Sequence, residues 1–108
     1  MFEIRGFDIY ITQGDTSQIL IEFDGEVPPD GTTAVICVKE RPGRSPVMIE
    51  KNIEVENGEL LLSFGHNETM IPPKRYRWDL RLVFDNGDVI TPMEPAVFTI
   101  LPAIGEIQ

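Results

Sequence analysis

Histidine and cysteine are almost missing from this 108-residue sequence, where His66 and Cys37 stand alone. A single cysteine rules out an internal disulfide. Such usage fits a reducing cell interior, and equally a particle assembled there and released by lysis. Structural zinc sites take several thiolate or imidazole ligands, so a zinc centre here would have to lean on carboxylates. Positive charge is scarce too, with nine lysines and arginines against eighteen aspartates and glutamates, a formal charge of -9. Duplex binding needs cations to displace counterions from phosphate, so general nucleic-acid binding is not expected, nor is attachment to an anionic membrane. Long apolar runs are also lacking. The start, MFEIRGFDIYI, has no such run behind a basic segment, so neither a signal peptide nor a spanning segment is expected. There is no internal repeat, low-complexity tract or linker. The length and an apolar content of 42% suit one domain, residues 1–108, able to bury a core without metal or disulfide.

What the sequence does have is alternation. Residues 74–101 read KRYRWDLRLVF-DNGD-VITPMEPAVFTIL. Tyr76, Trp78, Leu80, Leu82 and Phe84 fall on every second position, with Arg75, Arg77, Asp79 and Arg81 between them. A strand turns successive side chains to opposite faces, so one face is apolar and the other charged. Asn86-Gly87 supplies two residues that tolerate positive φ, as a tight hairpin requires. The same period of two runs through residues 7–12, 17–24 and 59–64. TAVICVK, residues 33–39, is apolar on both faces and predicts a central strand or one with a covered outer face. Residues 47–55 predict a ragged strand pair or one bent strand, and Asn57-Gly58 a second hairpin turn. HNETMI, residues 66–71, is the single candidate helix, about one turn long before Pro72-Pro73 stops it. Without helical crossovers a parallel sheet is excluded. The expectation is an all-β, immunoglobulin-like antiparallel β-sandwich of seven to eight strands, with residues 102–108 a flexible tail. Its core would hold Ile19, Ile21, Phe23, Ile36, Leu60, Leu62, Tyr76, Trp78, Leu80, Leu82 and Phe98. Tyr76, just after the proline corner, matches the tyrosine corner of Greek-key sandwiches, whose hydroxyl ties down the preceding turn.

Catalytic chemistry finds little support. His66 reads as a polar residue opening a surface turn, and Cys37 as a small buried hydrophobe. Asp85-Asn86-Gly87-Asp88 resembles part of a calcium loop, but no bidentate Glu follows at the required spacing, so it reads as a turn. Gln13-Gly14-Asp15-Thr16 has no lysine and is not a phosphate loop. Glu54 with Glu56, and Asp85 with Asp88, lie on strand faces or turn tips rather than flanking a cleft. No catalytic residue, cofactor or metal ligand is assigned. Lys74, Arg75, Arg77 and Arg81 form a basic stripe on an acidic chain, either a docking face or a solvated face paired with carboxylates of the 47–55 segment. Phe2, Phe7 and Tyr10 are the aromatics left over for a sugar platform.

The chain resembles the immunoglobulin-like N-terminal module of phage baseplate upper proteins and related small prophage tail proteins. The residues that carry this are DIYITQGDT (8–16), TAVICVK (33–39), the turn at 66–73 leading into YRWDLRL (76–82), and NGDVITPMEPAVFTIL (86–101). The Tyr-x-Trp-Asp-Leu-Arg run is the most specific of them. The resemblance implies a non-enzymatic structural protein of a phage tail or baseplate, assembled in the bacterial cytoplasm and carried in the virion. It would dock onto other tail or baseplate proteins, with a homo-oligomer as an option. The alternative is a carbohydrate-binding or adhesive module of the same fold. The resemblance brings no functional residues with it.

Overall fold

A computed structural model describes residues 2–3, 7–43 and 45–105, with the side chains of residues 2, 3 and 24 left aside. Among the described residues ten strands follow one another: β1 (Phe2–Glu3), β2 (Ile9–Thr12), β3 (Ser17–Glu22), β4 (Asp24–Gly25), β5 (Thr33–Lys39), β6 (Val47–Glu54), β7 (Glu59–Phe64), β8 (Arg75–Val83), β9 (Val89–Ile90) and β10 (Ala96–Leu101). Three of them are two residues long, so seven carry the architecture. The large sheet runs β2-β10-β8-β5-β6, with β9 beside β8, and β3 pairs with β7 in a second sheet. The two sheets pack as a sandwich with apolar faces inward. Strands three, five, seven, eight and ten are divided between the sheets as the B, C, E, F and G strands of an immunoglobulin domain are.

β8 is the centre. Its alternation is literal: Tyr76, Trp78, Leu80 and Leu82 are buried while Arg75, Arg77 and Arg81 are exposed. Ala34, Ile36 and Val38 of β5 join them from the neighbouring strand, and Leu60, Leu62 and Phe64 of β7 from the opposite sheet. Phe64 meets Phe98 edge to face across the gap, with centroids 5.4 Å apart. Of the expected core residues ten are buried, and Ile19 packs half-buried against them. The tyrosine corner is present, the Tyr76 hydroxyl donating to the Pro72 carbonyl at 2.5 Å.

Several expectations are corrected. The sandwich is not wholly antiparallel, because β2 and β10 pair in parallel from Ile9↔Phe98 to Thr12↔Leu101. The whole domain connects these two strands, so no helical crossover is needed. β10 is thus paired on both sides, by β2 and β8. Of the two readings of residues 47–55, the single strand is the one present, as Val47–Glu54, with a register shift opposite Val38/Lys39. At the β8–β9 turn only Gly87 takes positive φ; Asn86 instead accepts from Asp88 N through its side-chain oxygen, and Gly87 N donates to Phe84 O. The two-residue hairpin geometry belongs to Asn57 (φ 51°) and Gly58 (φ 73°). The expected helix at 66–71 is a hydrogen-bonded turn, with Thr69 N donating to Gly65 O. Residues 102–105 are exposed, and the rest of the expected tail, 106–108, lies outside the described residues.

Candidate interaction surface

The outward face of the large sheet carries the basic stripe. Because β8 presents its odd-numbered residues outward, Arg75, Arg77, Asp79 and Arg81 project from its middle. Register then sets their neighbours. Arg77 lies opposite Lys39, Asp79 opposite Cys37, and Arg81 opposite Val35. On the other flank Arg75 faces Thr99 and Arg77 faces Val97. Between the stripe and Pro42-Gly43 lies a groove of about 430 Å³, whose lining includes Val35, Cys37, Lys39, Val47, Arg77 and Arg81.

The sequence reading is redrawn at three points. Lys74 leaves the stripe and pairs with Glu40; that contact raises the lysine's pKa and holds the Glu40 carboxyl below its ordinary value. Lys39, overlooked in the sequence, takes its place. Its signal was the outward phase of TAVICVK, but only the β5–β8 register puts it against Arg77. The expected pairing of the stripe with carboxylates of residues 47–55 does not occur, because β5 lies between β8 and β6. Among the described residues no salt-bridge partner reaches Arg75, Arg77 or Arg81.

Cys37 is not a core residue. It points outward and is half-buried, flanked in register by Glu50 and Asp79. Burial pushes its thiol pKa up, and the two carboxylates add to the shift against the smaller opposing effects of Lys39 and Arg81. A protonated thiol is a poor nucleophile.

The other candidates are scattered. His66 is half-buried, its Nδ1 within 2.6 Å of the Gly14 carbonyl, while Thr69 Oγ1 donates to Asp15 O at 2.8 Å. The turn at 66–70 is thereby clamped onto the turn at 13–16 at one end of the sandwich. Asp85 and Asp88 sit exposed at the β8–β9 turn. Glu54 and Glu56 line a shallow groove against the small sheet, together with Leu20, Leu61 and Glu59. Among the described residues no three His, Cys, Asp or Glu side chains gather so as to hold a metal ion, and no helix is long and apolar enough to cross a membrane. Of the leftover aromatics, Phe7 packs edge-on against Trp78 with centroids 5.5 Å apart, Tyr10 is 59% exposed, and the Phe2 side chain lies outside the described residues.

No protein-family model and no curated protein matches the sequence. The chain is similar in structure to CopC from Methylosinus trichosporium OB3b, with a TM-score of 0.60 and 13% identity over 99% of this chain and 100% of that one. At that identity the likeness is one of fold.

Proposed function

We propose that this sandwich is a non-enzymatic assembly module that works through protein–protein contacts, and that its setting is a phage or prophage tail or baseplate. One observation supports contact as its work: a sheet face bearing exposed Arg75, Arg77 and Arg81 with no salt-bridge partner among the described residues. Arginine is among the residues that protein interfaces favour. The phage setting comes from the sequence resemblance. Among the described side chains the carbohydrate reading draws on Tyr10, since Phe7 is engaged with Trp78.

The test is to induce the parent phage or prophage, purify intact particles, and quantify the chain in them by mass spectrometry. A fixed ratio to the major tail protein is the expected result. Absence from particles that contain their other tail proteins overturns the assignment.

A further inference from the structure

We propose that the domain associates with itself head to tail, the outward face of the small sheet of one copy seating on the outward face of the large sheet of the next. The inference rests on the assembly reading above for its setting and names one partner for it, a second copy of this chain.

The grooves on the two outward faces differ in the sign of their dominant charge. On the small sheet, Leu20 and Leu61 are a directly opposed cross-strand pair, 52% and 51% exposed. They line a groove of about 440 Å³ together with Glu56 and Glu59, and with Glu54 from the edge strand β6 of the large sheet. On the large sheet, Val35, Cys37 and Val47 line a groove of nearly the same size, about 430 Å³, rimmed by Lys39, Arg77 and Arg81 with Asp79 as the single carboxylate in its lining. Each groove therefore sets partly exposed apolar side chains among charges of one predominant sign, with Asp79, and Glu50 beside Cys37, as the carboxylates on the basic face.

Each face also carries an internal conflict that the other would relieve. Glu22 lies directly opposite Glu59 in the β3–β7 register, and Glu56 bridges to Glu59 across the turn. Lys39 lies directly opposite Arg77 in the β5–β8 register. Like charges opposed across a ladder are destabilising. A copy whose cations meet these glutamates removes the repulsion on both sides at once, while burying the exposed leucine pair. Because the two patches differ and occupy opposite sides of the sandwich, the contact is heterologous. Each added copy leaves one free face of each kind, so association continues into a ring or a stack.

Sedimentation velocity on the full chain tests this with two charge-reversed variants, Arg77→Glu/Arg81→Glu and Glu56→Lys/Glu59→Lys. All substituted side chains are exposed, and circular dichroism checks each fold. The wild type should show a weight-average mass that climbs with concentration past a dimer up to about 1 mM, with association weakened roughly tenfold or more when salt rises from about 0.05 to 0.5 M. Either variant alone should be monomeric, because each has lost one of the two patches. Mixed in equal amounts, they should associate again, because the intact patch of each matches the intact patch of the other and the two reversed patches are also opposite in sign. A wild type that stays monomeric over this range overturns the inference. So does a mixture that stays monomeric while both variants are folded, or a variant that still closes into a homodimer. A chain that enters particles yet stays monomeric loses only this inference; one that self-associates yet is absent from particles loses only the phage assignment.

Discussion

Trp78 and Tyr76 show how much one side chain decides in a domain this small. The indole of Trp78 is 1% exposed, and its Nε1 donates to the Phe7 carbonyl at 3.1 Å. Trp78→Ala removes that volume and leaves the carbonyl without its donor. The expected loss is about 3–5 kcal/mol, read from urea denaturation. A loss below about 1 kcal/mol would contradict the central placement. Tyr76→Phe is the finer test. It keeps the buried ring and deletes only the corner bond to Pro72, so about 1–2 kcal/mol should be lost with little change in denaturant slope. Both residues were legible from the period-two run through residues 76–84, because burial follows directly from phase on a strand. Cys37 was not legible in the same way. TAVICVK is apolar on both faces, so hydrophobicity could not say that Ile36 faces in and Cys37 out. Only pairing with β8 settles that, with Ile36 opposite Leu80 and Cys37 opposite Asp79.

Elements were easier to recognise than to connect. Asn57-Gly58 was correctly read as a two-residue hairpin turn, yet β6 and β7 do not form a hairpin sheet. A single bridge, Glu56↔Glu59, joins the arms before they part into different sheets. Turn chemistry is local, while the choice of sheet depends on which partners each strand meets later. A Cβ on Gly58 would lie 2.6 Å from Cγ1 of Val27, in addition to the strain of positive φ. Gly58→Ala should therefore cost more than the roughly 1 kcal/mol of backbone strain alone; Gly87→Ala, with open space at its Cβ position, supplies the comparison. Equal melting temperatures for the two variants would contradict the close approach.

The open flank between the sheets is held by Lys51. It lies opposite Ile36 on the inward side of β6, donates to the Ser63 carbonyl, pairs with Glu68 at 2.8 Å and sits over the Phe64 ring. Glu68 also accepts from Gly65 N at 2.8 Å. Burial alone would raise its pKa, but the bonds from Lys51 and Gly65 outweigh that and hold it below the ordinary carboxylate value. A lowered folded-state pKa means stability that is complete above the unfolded value, about 4.3, and lost as pH falls through the folded one. Glu68→Gln should lower the melting temperature at pH 7, and the gap to wild type should shrink below about pH 4. A gap as wide at pH 3 as at pH 7 would show that charge is not its source.

At the scale of the whole molecule, the division into two sheets follows from seven strands of mostly alternating character. The parallel β2–β10 pair does not, since no local pattern distinguishes a parallel from an antiparallel edge. That pair also fixes how the domain would bear load. Ile9 begins β2 level with Phe98, and Leu101 ends β10 level with Thr12, so the chain enters at one end of the ladder and leaves at the other. Pulling the two ends apart slides β2 along β10, and the hydrogen bonds between them resist together instead of parting one by one. Under such a pull this pair would yield in shear, at a higher force than a hairpin unzipped from its open end.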